Sequence, residues 1–556
     1  MDLIFVIFYL VFTIAFEIDY LMGILYYVQM SGYSYRSIFA SFVQGISKSY
    51  LIWILYLIVF VSMLVINYTN IYFLFLMLLL SGSVIIFAGD KYDKLKKINY
   101  TKRMWRIIVV SALILILYIV FTLLCYSQLI LLVMMPIILP LNYLVVALAL
   151  IVLSPIESII KNHYLKKTKL KLCSMKNLIK IGITGSYGKT STKEILATIL
   201  AEHYYTLATP KSYNTPMGIS KVVLEELNSK HEVFVCEMGA KKVGEIKELC
   251  DLVDVNYGIV TAVGRQHTST FGSMKNIYRT KKELPDYLTG KACIFNLTNK
   301  YVYNMYKKYV GEKIGVFYIK NHDLHNTRGI VKKRIKIHCR CRLYDNMCHL
   351  LTFPKNNNVY AKQIEYDENG CKFKIYYGVE FVCEARTILI GVHNIINILL
   401  SVSMAKMLGV SNSNIEIGIK KIQPIRARLE KFVGESGAII LNNGYNSNID
   451  SLDYSLRTVR LFNKPNILVI TPGVIESKDM YLSNKLFGEK IGLVATEVII
   501  VKKLNKDAIY SGLISSGFDS SKIYFASNFN ECKRVLDKLG RDYIVLIEND
   551  LPDNYI

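Results

Sequence analysis

No regular cysteine framework runs through this sequence. Its 11 Cys residues fall at irregular intervals, which excludes a small disulfide-stapled scaffold and leaves them as free thiols of a reducing compartment. Acidic side chains are scarce: Asp and Glu number 43 against 67 for Lys and Arg, a formal net charge of +24. The basic residues form no single stripe of the kind that follows a phosphate backbone, so no nucleic-acid partner is expected. Many of them flank apolar runs, where anionic lipid headgroups attract them. The start of the chain lacks a basic region ahead of its first apolar run, which argues against a cleaved signal peptide. The apolar runs lack paired charges and repeats, which argues against a transporter. His338, Cys339, Cys341, Cys348 and His349 are metal-ligand types without a zinc spacing, and the alternation through Ile335, Ile337, Cys339 and Cys341 fits a plain strand.

What is present divides in two. Roughly the first 155 of 556 residues are overwhelmingly apolar, and the rest has the mixture of a soluble protein, enough for three or four domains in all. Runs at 50–66, 71–88, 107–125 and 129–153 approach the length of about 20 residues that a spanning helix needs. A fifth, from Leu3 onward, is interrupted by Glu17 and Asp19, where the first apolar helix ends. Lys91, Lys94, Lys96, Lys97, Lys102, Arg103 and Arg106 lie between two of these runs, and Lys161, Lys166, Lys167, Lys169, Lys171, Lys176 and Lys180 follow the last. Both clusters belong on the cytoplasmic side. If the first run also spans, there are five spans with the N-terminus outside; if it lies in the interface, the N-terminus is inside. Either way the catalytic part is cytoplasmic and the protein a multi-pass protein of the cell membrane, in contact with membrane lipid.

Residues 178–184, LIKIGIT, read as a short strand, and Ile195, Leu196, Ile199 and Leu200 recur at helical spacing. Between them lie Gly185 and Gly188, then Lys189 and Thr190. Glycines there let backbone N–H groups approach phosphate oxygens, a helix N-terminus adds partial positive charge, a lysine offsets phosphoryl charge and a threonine can ligate Mg²⁺. The strict pattern GxxxxGK[ST] fails at its first glycine, where Ile183 stands. Glu237 closes the apolar run VFVCE, His267 follows the run YGIV, and Lys281 lies fourteen residues on in a helical stretch. Strand ends beside a phosphate loop form the ligand crevice of an open parallel sheet. Each residue also has a plainer reading, as a capping acid, a loop histidine and a solvated lysine.

Several stretches together resemble the Mur ligase family, and within it the branch that adds D-alanyl-D-alanine to a UDP-N-acetylmuramoyl-tripeptide. They are GITGSYGKTSTKEIL at 182, SYNTPMGIS at 212, EMGAKKVGEI at 237, GRQHTSTFGSMKNIYRTKKEL at 264, GVHNIINILLSVSMAKMLGV at 391, RARLEKF at 426 and ITPGVIES at 470. The resemblance implies that Gly185, Ser186, Tyr187, Gly188, Lys189, Thr190 and Ser191 wrap the ATP phosphates. It implies that Thr190, Glu237, His267 and Lys281 serve Mg²⁺, Lys281 as a carbamylated lysine, and that Asn394, Asn397, Arg428 and Asn443 hold the nucleotide. Asn214, Tyr445 and Asn446 would face the substrates: a UDP-sugar or lipid-linked peptide acceptor, and D-alanyl-D-alanine or a similar amine. Lys189, Glu237, His267 and Lys281 would carry catalysis through an acyl phosphate.

The implied fold is α/β: a helical transmembrane region (1–158), a basic cytoplasmic linker (159–177), a P-loop-type central ATPase domain (178–428) and a C-terminal Rossmann-like domain (429–556). In the last of these, apolar runs at 467–470, 498–501, 523–525 and 544–547 alternate with helical patterns. Two departures stand out. Ser269 replaces an acid two positions after the histidine, and Asn442 and Asn443 replace a paired Asp-Asp, which removes negative charge while retaining hydrogen-bonding capacity. The small N-terminal domain that binds the UDP-sugar in the family has apolar segments in its place. A ligase for another cell-surface polymer and a catalytically weak membrane scaffold are therefore the alternative functions.

Overall fold

The computed structural model describes residues 21, 23–29, 32–33, 35, 38, 100–124, 138–211, 213–319, 358–444, 449–474, 477–501 and 504–548. The apolar runs at 50–66, 71–88 and from Leu3 to Asp19, the His338–His349 cluster, and Tyr445 and Asn446 lie outside the described residues. The chain divides into two compact units, 1–162 with 551–556, and 163–550.

The first unit holds α1 (Lys102–Leu124) and the part of α2 (Ile138–Ser174) up to Asn162, both with long apolar runs. Met104 and Ile107 of α1 and Val146, Leu150 and Leu153 of α2 are buried in one cluster with Ile24, Leu25 and Val28. Val109, Leu113, Leu117 and Phe121, four residues apart along α1, are exposed, which gives that helix an apolar outer stripe. Arg106 donates from Nε to Glu157 Oε1 at 2.8 Å. Among the described residues one helix, Asn142–Ser174, is long and apolar enough to cross a membrane. The basic stretch expected as a linker continues this helix to Ser174 without a break.

The second unit is a mixed α/β structure built on two largely parallel sheets. The first has nine strands: β1 (Ile179–Thr184), β2 (Thr206–Ala208), β3 (Val233–Glu237), β4 (Tyr257–Val260), β5 (Ala292–Asn296), β6 (Glu312–Tyr318), β7 (Val359–Asp367), β8 (Gly370–Tyr377) and β9 (Glu380–Thr387). Their order is β2-β3-β1-β4-β5-β6-β7-β8-β9, parallel up to β7 and antiparallel beyond. The inner strands are apolar on both faces because helices cover both. Val233 and Val235 of β3 join the core under α3 (Lys189–Leu200), while Phe234 and Cys236 between them join the core on the other side, as the two-residue period of a strand requires. On that second side lie α4 (Pro216–Glu225), α5 (Glu245–Val253), α6 (Met274–Tyr287) and α7 (Lys300–Lys308). The first side also receives α8 (Val392–Met407) and α9 (Asn412–Lys420).

A second sheet comprises β10 (Glu430–Val433), β11 (Ile439–Asn443), β12 (Asn466–Thr471), β13 (Glu497–Val501), β14 (Ile523–Ala526) and β15 (Tyr543–Glu548). Its order is β10-β11-β15-β12-β13-β14, with only β10 antiparallel. The four apolar runs read in the sequence are β12 to β15. Helix α10 (Ile449–Arg460), with α11 (Met480–Gly492) and α12 (Lys506–Ser515), supplies one face. Between the sheets, Ala427 and Leu429 have φ of 54° and 52° on either side of Arg428. Non-glycine residues in that region each cost on the order of 1 kcal/mol, so the crossing between sheets carries local strain.

Candidate active site

The phosphate loop follows from β1 and α3. Gly185 has φ 154°, and a Cβ there would stand 2.0 Å from Thr261 Oγ1 and 3.0 Å from the Ala262 nitrogen. That threonine is itself held, donating to the Tyr187 carbonyl at 2.6 Å, so only glycine fits. Gly188, at φ 83°, is the N-cap of α3. Ser186 Oγ donates to the Gly264 carbonyl at 3.2 Å and accepts from the Gly264 nitrogen at 3.1 Å, tying the loop to the segment after β4. Lys189 Nζ donates back to the Gly185 carbonyl at 2.9 Å. Burial lowers its pKa, Glu237 raises it and Arg428 lowers it again, leaving a net downward shift.

Glu237 ends β3, beside β1 in register with Ile183. Its carboxylate, 2 % exposed, accepts from Thr190 Oγ1 at 2.9 Å through one oxygen and from Asn214 Nδ2 at 3.1 Å through the other. Gly239 makes room for this arrangement, since a Cβ there would fall 2.6 Å from Asn214 Cγ. Lys281 on α6 is 3 % exposed. Burial and the charge of Lys189 bring its amine down to about 7, against the opposite pull of Glu283, Glu245 and Glu237. The structure thus brings Lys189, Thr190, Asn214, Glu237 and Lys281 into one electrostatic neighbourhood. His267 is half-buried, with φ 52°, capping the single turn Thr268–Phe271.

Hard oxygen donors fit a magnesium ion, which keeps several ligands for water and phosphate. Glu237 and Thr190 offer such a pair. Among the described residues no three His, Cys, Asp or Glu side chains converge, so most of the ion's coordination would come from phosphate oxygens and water.

Beside this cluster is a cleft of about 950 Å³, counting its open mouth. From the first sheet it is lined by Tyr187, Gly188 and Ser191, and by Asn397 of α8; from the crossing by Arg428; from the second sheet by Asn443. Asn397 and Asn394 are buried and linked, Asn397 Nδ2 donating to Asn394 Oδ1 at 3.2 Å while Thr192 Oγ1 donates to Asn397 Oδ1 at 3.3 Å. The polar walls and aromatic side chains suit a nucleoside.

Three functional candidates escape the sequence reading. Lys193 is wholly buried; its only advance signal is its place four residues after Lys189, on the same helical face. His393 sits inside the GVHNIIN stretch and lines the cleft with a buried Nδ1 that has no hydrogen-bond partner among the described residues. Glu548, also wholly buried, has no local signal at all.

A phosphate loop on one parallel sheet, facing a second sheet across a polar-walled cleft, is the arrangement of a nucleotide-binding site, and the proteins that share it here are ATP-dependent ligases. Residues 183–405 match the Mur ligase middle domain family. The UDP-N-acetylmuramoyl-tripeptide–D-alanyl-D-alanine ligase of Haemophilus influenzae is 24% identical over 420 residues, 73% of this chain and 80% of that protein. Relatives of the same name from Buchnera aphidicola and Mycobacterium tuberculosis are matched over 65% and 48% of their length. A crystal structure of MurF from Acinetobacter baumannii superposes with a TM-score of 0.57 at 19% identity, covering 70% of this chain and 77% of that one. MurF from Thermotoga maritima in complex with ADP gives 0.54 at 18%, covering 70% and 80%. Residues 183–405 thus match the Mur ligase middle domain, and the chain resembles the D-alanyl-D-alanine-adding ligases in sequence and MurF in fold.

Proposed function

We propose that this protein is an ATP-dependent amide ligase that joins D-alanyl-D-alanine to a UDP-N-acetylmuramoyl-tripeptide, or to a membrane-presented equivalent, in peptidoglycan precursor synthesis. The observation that carries the reading is the Thr190–Glu237–Asn214 cluster set against Lys189 and Lys281 at the mouth of the nucleotide cleft. The acceptor carboxylate attacks the γ-phosphate of ATP to give an acyl phosphate and ADP. The amine then attacks the acyl carbon, and phosphate leaves.

Each residue has a task in positioning and charge. The loop amides from Ser186 to Thr190 and the N-terminus of α3 orient the phosphates. Lys189 offsets charge on the transferred group. Thr190 and Glu237 hold Mg²⁺, which when bound neutralises phosphoryl charge. With its pKa near 7, Lys281 has a substantial neutral fraction, the form that can take up CO₂ and release a proton to become a carbamate. Asn394, Asn397 and Arg428 hold the nucleotide, and Asn214 keeps Glu237 aimed. His267 stands in the segment after β4 as a further candidate metal ligand, and Tyr445 and Asn446 as substrate contacts.

The reading includes a multi-pass location in the cell membrane with the ligase portion cytoplasmic. It is supported by the length of Asn142–Ser174, the apolar outer stripe of α1 and the basic residues at the end of α1 that carries Arg106, which pairs with Glu157 ahead of the basic end of α2. The decisive assay uses the full chain in detergent with ATP, Mg²⁺, D-alanyl-D-alanine and UDP-N-acetylmuramoyl-tripeptide, following phosphate release. Release that disappears in Lys189→Ala is the expected outcome. Turnover only with a lipid-linked acceptor would move the substrate to the membrane. Release in Lys189→Ala equal to that of the unchanged chain would overturn the phosphate-loop assignment.

A further inference from the structure

Glu548 closes β15 with no solvent exposure. Its register partner across the sheet is Asn443, the last residue of β11. Asn443 Nδ2 lies 3.0 Å from each of the two Glu548 carboxylate oxygens and 3.0 Å from Ser455 Oγ. Asn443 and Ser455 both line the nucleotide cleft.

An ionised carboxylate only accepts hydrogen bonds. Turning the Asn443 amide over would set its Oδ1 where Nδ2 now lies, 3.0 Å from both Glu548 oxygens, acceptor against acceptor, so the nitrogen faces Glu548 and Oδ1 is the remaining polar atom of a cleft-lining side chain. We infer that Glu548 is a positioning residue that locks Asn443 so that Oδ1 presents an uncharged acceptor to the sugar hydroxyls of the nucleotide. This rests on ATP being the occupant of the cleft.

The lock has a polarity. Residue 443 must be neutral, because a second carboxylate at 443 would lie within hydrogen-bonding distance of Glu548 in a buried place, and two such groups cannot both ionise. Substituting an acid at 443 is thus harmful here rather than restorative. Reversing the pair keeps the geometry: with Asp at 443 and Gln at 548, the amide nitrogen of residue 548 donates to residue 443, whose other oxygen faces the sugar.

The test measures ATP affinity of the full chain in detergent by calorimetry, and KM for ATP against kcat in the ligase assay. Asn443→Asp is expected to weaken ATP binding about tenfold, near 1.4 kcal/mol, through KM with kcat held. Glu548→Gln frees the amide and gives a smaller rise in KM with the melting temperature little changed. The double variant Asn443→Asp/Glu548→Gln returns affinity to within about threefold of the unchanged chain. Should Asn443→Asp misfold, the double variant still decides. ATP binding by Asn443→Asp as tight as that of the unchanged chain, or a double variant with no better affinity than Asn443→Asp, overturns the inference. Failure of the unchanged chain to bind ATP would overturn the proposed function, and this inference with it.

Discussion

Lys193 Nζ lies 4.0 Å from Glu237 Oε2, and neither side chain is more than 2 % exposed. The same ammonium donates to the Lys211 carbonyl at 2.8 Å and the Thr209 carbonyl at 2.5 Å, and pairs with Glu194 at 3.0 Å. Those carbonyls belong to the loop between β2 and α4 that carries Asn214. One buried cation therefore fastens the loop to α3 and adds positive potential behind Glu237.

Removing that cation leaves two carbonyls and a carboxylate without it. Lys193→Met is expected to lower stability by about 3 kcal/mol, as for other broken buried charge contacts, and, by removing a positive charge 4.0 Å from Glu237, to lower the Mg²⁺ concentration needed for half-maximal turnover. Thermal unfolding and a magnesium titration of phosphate release check both. An unchanged magnesium dependence in a folded variant would show that Lys193 acts on the loop alone.

Gly185→Ala forces a methyl into Thr261 Oγ1 and the Ala262 backbone. The cost is expected to be about 1–3 kcal/mol of strain together with loss of ATP binding. Calorimetry with ATP measures the latter; retention of normal affinity would mean that the loop relaxes away from β4.

Acid should weaken the nucleotide side of the molecule through His393. Burial first, and then the positive charge of Arg428, bring its pKa from 6.5 down to about 4. The unfolded chain thus takes up a proton between those values that the folded chain refuses, so this residue's contribution is fully present above 6.5 and lost as the pH falls toward 4. A protonated Nδ1 would also need an acceptor, and among the described residues it has none. The melting temperature of His393→Gln should therefore fall less steeply than that of the unchanged chain between pH 6.5 and 4.5; parallel curves would sink the assignment.

In the first unit, Glu157→Gln removes the charge that receives Arg106 Nη2 at 2.6 Å. Because both groups are partly exposed, the loss should be modest, about 1 kcal/mol. Unfolding in detergent should register it, while phosphate release by the ligase unit stays within about twofold.

Much of the geometry of the candidate site was readable from spacing because its chemistry is local. A glycine pair, a lysine and a threonine between a strand and a helix need no distant partner to make sense, and β12 to β15 announced themselves as apolar runs. Lys193 and Glu548 were not readable, since a charged side chain looks solvated until its partners are known. Asn443, which donates to Glu548, lies 105 residues away. The antiparallel extension β7 to β9 went unremarked because its strands mix Lys, Glu and Tyr with apolar residues, the pattern of a sheet edge covered on one side. The basic linker proved helical because nothing from Ile159 to Ser174 breaks a helix, and Leu172 has a buried place to occupy.

The position of β15 also bears on how the second sheet is assembled. It lies between β11 and β12, yet both of those, with β13 and β14, leave the ribosome before it. The two halves of the sheet are made first and must wait for the strand that joins them. Pairings so far apart in sequence form slowly. Until that insertion is complete, a growing chain has its phosphate loop but no Glu548 beside Asn443.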